Sequence, residues 1–220
     1  MWELFQKGGP AMYPLLALSI AGAAVVVERI LVLSRARTHT ESFMARVAAA
    51  LEAQRYDDAL AVAREGSGAM ARMLAAGIEK IRRGRAEVER AIQARGDLEV
   101  GKLERGLALL QAVAKTAPLV GFFGTVSGMI KAFESMGRAG LGDPSQVATG
   151  ISEALITTAA GLAVAIPVFF AHSLFVGKVN RFVMELEEGS IRFLDALAEA
   201  EERQARSLLR EQIGGEYLEA

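Results

Sequence analysis

Ala154 to Gly177 reads ALITTAAGLAVAIPVFFAHSLFVG and contains no Asp, Glu, Lys or Arg. An α-helix rises about 1.5 Å per residue and the hydrocarbon core of a bilayer is about 30 Å thick, so about 20 apolar residues suffice to cross it. This stretch is long enough. Two others compare with it: Gly8 to Val27 carries no charged residue, and Gly106 to Ile130 is interrupted only by Lys115, which makes it the least comfortable of the three. The expected fold class is all-α, a polytopic membrane protein with three transmembrane helices.

Outside these runs the sequence changes character. The 220-residue chain has 25 Lys and Arg against 26 Asp and Glu, and its net charge of -1 hides a dense mixture of both signs from Arg35 to Arg105 and again after Lys178. Mixed sign argues against a nucleic-acid surface, which needs a one-sided basic patch. With no cysteine, disulfide frameworks, thiolate metal sites and thiol nucleophiles are excluded. No metal-ligand spacing, nucleotide loop or nucleophile triad is present, so no cofactor is expected and an enzyme is disfavoured.

The first run is preceded by Glu3 and Lys7 and leads into Glu28 and Arg29, with neither a positive leader nor a small-residue cleavage site, so it reads as a retained span. Arg29, Arg35 and Arg37 crowd its far end, Lys102 and Arg105 precede the second span, and Lys178 and Arg181 follow the third. Basic flanks mark the cytoplasmic side, so the N-terminus and the loop from Gly137 to Gln146 are expected outside and the C-terminus inside. The boundaries that follow are an outer N-terminus at 1–10, spans at 11–33, 107–136 and 148–177, a cytoplasmic helical domain at 34–106, an outer loop at 137–147 and a cytoplasmic helix and tail at 178–220.

Trp2, Phe5 and Tyr13 suit a membrane interface or an ordinary hydrophobic contact, and Pro10 and Pro14 stand where a starting helix tolerates proline. Thr40 to Arg105 is rich in Ala, Leu, Glu and Arg and predicts a helical hairpin or bundle with a break at Gly66 to Gly68. Tyr56, Asp57 and Asp58 could cap a helix from Ala59 to Glu65, and another fits Met70 to Arg83 until Gly84 ends it. Past Gly84 a proline-free pattern predicts one long helix running straight into the second span. The third span likewise predicts an unbroken continuation, since Phe182, Leu186, Phe193 and Leu197 form an amphipathic stripe that should fray near Gly214 and Gly215.

The second span contains APLVGFFGTVSGMI from Ala117 to Ile130, with Ala117, Gly121, Gly124 and Gly128 at three- and four-residue steps. Small residues at that spacing let helices approach closely in lipid, with or without a transport role. Thr125 lies inside this seam and could bond its own backbone or line a path. The third span opens GISEALITTAAGLAVAIP from Gly150 to Pro167, and Glu153 at its edge needs a partner or water. Thr157 shares a face with Glu153, whereas Thr158 lies about 140° away, so one stripe cannot hold all three. Pro118 and Pro167 are candidate kinks, and Gly161 extends the small-residue set. Lys115 and His172 sit toward the cytoplasmic ends of their spans, where snorkelling explains them, and His39 is isolated among polar residues.

These two stretches, in order and preceded by LERGL from Leu103 to Leu107, resemble the MotA/TolQ/ExbB proton-channel family. The resemblance implies three spans with the N-terminus outside, a helical cytoplasmic domain, and a ring of typically five copies in the bacterial inner membrane around single-span partners. Proton flow down the ion-motive force would then drive work. By motif position Thr125 and Thr158 match the family's channel threonines and Glu153 the glutamate near the outer mouth. In the family so implied the proton-carrying aspartate belongs to an ExbD/TolR-like partner, and a TonB/TolA-like protein would receive the work. That supplies what the chain lacks, a carboxylate deep in its own spans. Lys115 departs from the small or polar residue expected there. The short N-terminus is more like the ExbB and TolQ branches, with a lean to ExbB, than like the flagellar stators with their additional span. A non-conducting scaffold is the competing reading. A solute transporter is disfavoured by the absence of paired repeats.

Overall fold

The computed structural model describes residues 2–35, 40–139 and 144–216. Arg37 and His39, Gly140 to Asp143 of the expected outer loop, and the last residues of the tail lie outside the described residues. The described chain is helical: α1 (Trp2–Lys7), α2 (Met12–Arg35), α3 (Thr40–Glu52), α4 (Tyr56–Glu65), α5 (Ala69–Ile78), a 3-10 turn (Ile81–Arg83), α6 (Arg85–Glu104), α7 (Leu107–Ala139) and α8 (Pro144–Glu216). Among the described residues three helical stretches are long and apolar enough to cross a membrane, the mean hydropathy of their most apolar 18 residues being 2.2 within Met12–Leu33, 1.4 within Arg85–Gly137 and 2.1 within Val147–Arg203. The lowest value belongs to the run that Lys115 interrupts.

The chain divides into two compact units, one of Met1–Val32 with Glu104–Lys178 and the other of Leu33–Leu103 with Val179–Ala220. In the first unit, α2 packs on α7 and α8. A side chain at Gly22 would come within 3.0 Å of Val168 and 3.4 Å of Val113, so this glycine lets α2 approach both partners. Leu15, Ala117 and Ala165 form a buried cluster one step along, supported by Met12, Leu18, Val120, Ala160 and Val164. Arg29, one of the basic flanks of the first span, is buried, with its guanidinium 2.8 Å from Glu28 and its stem beside Gly106.

In the second unit, α3, α4 and α5 pack in sequence order, and their apolar faces share a core with Val88 and Ile92 of α6 and Leu186, Phe193 and Leu197 of α8. The stripe read on the last helix is therefore its buried face, and only Phe182 of the four stays half-exposed. Gly189 continues that face, because the Met70 side chain occupies the space a Cβ would take.

Three local expectations change. Asp57 and Asp58 do not precede α4; they occupy its first turn, where carboxylates favour the positive end of the helix dipole, and Arg55 at the cap makes no side-chain cap bond. The helix expected over Met70 to Arg83 ends as an α-helix at Ile78, tightens into the 3-10 turn and stops at Gly84, whose φ of 93° is in the left-handed region. The single helix expected from beyond Gly84 into the second span is two, α6 and α7, separated at Arg105 and Gly106, with Gly106 at φ 83°. By contrast α8 runs unbroken from Pro144, through Gly214 and Gly215, to Glu216.

Candidate functional site

The small residues of α7 meet α8 in an antiparallel ladder. A Cβ on Gly128 would lie 2.7 Å from the Gly150 carbonyl and 3.0 Å from Ala154 Cβ, while one on Gly150 would lie 2.9 Å from Ala132 Cβ. Farther along, a Cβ on Gly121 would lie 2.9 Å from the Thr157 carbonyl and 3.4 Å from Gly161 Cα, and one on Gly161 would lie 2.7 Å from the Ala117 carbonyl. Ala117, Gly121, Gly124, Gly128 and Gly161 are thus packing positions between two helices of one chain. The spacing showed that a seam existed. It could not show which helix filled it.

The threonines separate on this ladder. Thr157 is fully buried in the seam against Gly124, and its hydroxyl donates to the carbonyls of Ala154 at 2.9 Å and Glu153 at 3.1 Å. Thr158 is half-buried and donates across the seam to the Gly121 carbonyl at 3.3 Å. In an α-helix that carbonyl also receives the backbone N–H four residues on, which is that of Thr125. Thr158 therefore sits beside Thr125, which is itself half-buried and donates to the Phe122 carbonyl at 2.6 Å. One edge of the helix pair carries both hydroxyls.

Glu153 stands elsewhere. Its carboxylate is 2.5 Å from Nζ of Lys131 on α7, and it fills the space beside Gly9 in the link between α1 and α2. On α7, Lys131 and Thr125 are six residues apart, about 120° around the axis, which matches the angle of about 140° between Glu153 and Thr158 on α8. Thr125 and Thr158 thus share one edge of the helix pair, and Glu153 lies on the other. Lys131 was missed in the sequence because it follows the apolar run; an antiparallel register that pairs Gly128 with Gly150 and Ala154 would have put it near Glu153.

Pro118 is half-buried and Pro167 exposed, and both helices continue through them. Each proline withholds an N–H from the carbonyl four residues back, Ala114 and Ala163 respectively. Lys115 is exposed on the face of α7 away from the seam, and His172 is half-buried. Trp2 and Phe5 stack at 5.6 Å and Phe5 meets Tyr13 edge-on at 5.4 Å, so these rings contact one another at one end of the unit. Among the described residues no group of His, Cys, Asp and Glu could hold a metal ion.

Chemically, the Thr125–Thr158 edge offers two hydroxyls, each with its proton committed to a carbonyl and oxygen lone pairs left to accept from water. It can orient water, but it holds no group that titrates. A second charged cluster lies in the other unit. Buried Glu99 of α6 accepts two bonds from Arg72, at 2.6 and 3.0 Å, and lies 2.8 Å from Lys102 and 3.2 Å from Arg95. The bonds from Arg72 chiefly, with Lys102 adding and burial opposing, hold its carboxyl down at about 2, and the same contact raises Arg72.

The profile of the MotA/TolQ/ExbB proton channel family matches residues 65–188. The chain is 30% identical over 186 residues to a putative biopolymer transport protein ExbB homolog of Methanothermobacter thermautotrophicus, covering 84% of this chain and 66% of that one. It is 39% identical over 171 residues to a putative biopolymer transport protein ExbB-like 1 of Synechocystis, covering 74% and 65%. To the Tol-Pal system protein TolQ of Haemophilus influenzae it is 28% identical over 202 residues, 87% of each. The match thus spans about two thirds of the length of the first two relatives. The family profile covers more than half of the sequence, including the α7–α8 seam with Thr125, Glu153 and Thr158, so the chain belongs to the MotA/TolQ/ExbB proton channel family.

Proposed function

We propose that this chain is the proton-channel subunit of an energy-transducing complex in a bacterial inner membrane, with its N-terminus periplasmic and its charged helical unit cytoplasmic. In this reading a ring, five copies by resemblance, surrounds a single-span ExbD/TolR-like subunit, and the Thr125–Thr158 edge of each copy borders the path. Glu153 belongs to the periplasmic mouth. The partner supplies the titrating aspartate, and the proton motive force drives a TonB-like protein in envelope transport, the ExbB role; a TolA-like protein in envelope maintenance is the alternative.

The observation that carries the reading is that Thr125 and Thr158 bond successive carbonyls of α7, Phe122 and Gly121, along one edge of a glycine seam in a span pair without a deep acid of its own. Hydroxyls can align water for proton transfer while the acid–base step waits on a group from outside the chain. Exposed Leu119, Phe122 and Val126 on α7 and Leu155, Leu162 and Ile166 on α8 leave both helices with apolar surface suited to lipid or to further helices.

Proton flux into liposomes tests this, measured with a pH-sensitive dye after co-reconstitution with an aspartate-bearing single-span partner. Flux is expected only with the partner present, and Thr158→Val should lower it at least tenfold, because valine keeps the shape and removes the hydroxyl. Flux unchanged in Thr158→Val would refute the assigned path. No flux with any partner would leave a membrane scaffold as the function.

A further inference from the structure

The four-residue link from α1 to α2 opens on two consecutive glycines, Gly8 and Gly9, and the second has φ 66°, which L side chains rarely adopt. Their absent side chains leave room for α8. A Cβ on Gly9 would collide with the Glu153 carboxylate, and one on Gly8 would lie 3.2 Å from Ile156 and 2.6 Å from Met12. Glu153 and Ile156 are neighbours on one face of α8, so the link lies along that face. The carboxylate is in turn fixed by Lys131 at 2.5 Å, with the glutamate side chain 14% exposed and the lysine 47% exposed. At the margin of a hydrocarbon layer, where water is scarce, an ion pair is stronger than on a wet surface and a lone carboxylate is costly.

We infer that Lys131 is the positioning residue of Glu153. Their ion pair is a brace that ties the connected ends of α7 and α8 to the Gly8–Gly9 link and keeps this carboxylate off the Thr125–Thr158 edge. For Glu153 to join the threonine edge it would have to abandon Lys131 and pass most of the way around α8. The sequence offers both halves of the brace at the ends of adjacent spans, and the apolar seam between them sets the register in which they meet.

The chain has no cysteine, so a pair of spin labels can be placed uniquely. Leu4→Cys in α1 and Phe133→Cys in α7 replace residues that are 51% and 62% exposed. In the full chain in nanodiscs, the brace gives a narrow distance distribution between these labels. Lys131→Glu and Glu153→Lys each set like charges together; each should broaden the distribution and, in the liposome assay, reduce flux at least tenfold. The double exchange should restore the narrow distance and at least half of the flux, and Lys131→Arg should retain both. Should a charged single variant fail to fold, Lys131→Met serves instead: it keeps the aliphatic stem and removes the charge, so the distance distribution should broaden as it does in the charged variants.

Unchanged distances in the single variants overturn the brace. So does a double exchange that restores neither property. A double exchange that restores the distance but not the flux makes Glu153 a conducting group and overturns its assignment as a braced one. The flux arm rests on the proposed channel reading. If the parent chain passes no protons, that reading fails by itself, and the label distances alone decide the brace.

Discussion

Gly161→Ala is expected to destabilise the α7–α8 pair by about 1–3 kcal/mol, the usual cost of forcing a methyl group into a filled interior. The added Cβ would stand 2.7 Å from the Ala117 carbonyl and 3.1 Å from Gly121 Cα. Both are backbone, so no rotamer change relieves the overlap and the helices must separate. Elsewhere in the same helix a glycine has no such neighbour: nothing lies within 4 Å of a Cβ placed on Gly177. Gly177→Ala should therefore be neutral or slightly stabilising, because alanine restricts the unfolded chain and favours the helix. The midpoint of heat-induced unfolding in detergent distinguishes the two. Equal midpoints would show that the seam is not tight where the structure places it tight. Separation at Gly161 also pulls Thr158 from the Gly121 carbonyl, so the same variant should lose flux even though it alters no hydroxyl.

The seam illustrates what the sequence could and could not disclose. Long apolar runs identify spanning helices without reference to any neighbour, so the three spans were legible directly. Small residues at helical steps likewise announced a close approach. The partner of that approach depends on tertiary register, which no local pattern contains, and the same is true of Lys131 and Glu153, separated by 22 positions. Gly106 was illegible for a different reason. A glycine among helix-forming residues is ordinarily tolerated, and only its positive φ reveals that here it ends one helix before the next begins. The choice between Thr157 and Thr158 was posed by periodicity and answered in geometry by burial: one hydroxyl is enclosed against Gly124, the other lies at the edge beside Thr125.

Acid should weaken the second unit through Glu99, and Glu99→Gln should remove that part of the response. In the sequence Glu99 is one of many charges punctuating a helix. Its relation to Arg95 and Lys102 follows from helical spacing, but Arg72 lies 27 positions away, and it is this contact that makes the site. The Glu99 side chain is 2% exposed, whereas Arg72 and Lys102 are 46% and 58% exposed, so the carboxylate is the member that depends on the cluster. Its carboxyl is held at about 2 against an ordinary 4.5. Because the folded value is the lower one, the unfolded chain takes up a proton first as pH falls. The stabilisation is fully present above about pH 5, shrinks below the unfolded value and is gone once pH falls through the folded one. A depression of this size corresponds to about 3 kcal/mol, and solvent around the half-exposed partners brings the expected contribution to about 2 kcal/mol. In Glu99→Gln, Arg72, Arg95 and Lys102 converge on a group that no longer carries charge, but they can turn toward water, which keeps the loss below that of stranding a buried ion. At pH 7 the variant should therefore melt about 4–8 °C below the parent, on the usual scaling for chains of this size. The difference should narrow as pH is lowered from about 5 and vanish near pH 2. Glu188→Gln is the control, since its pair with Arg192 is 64% and 60% exposed and should contribute almost nothing. A pH-independent gap between parent and Glu99→Gln would mean that the glutamate stabilises this unit by its shape and packing rather than by its charge.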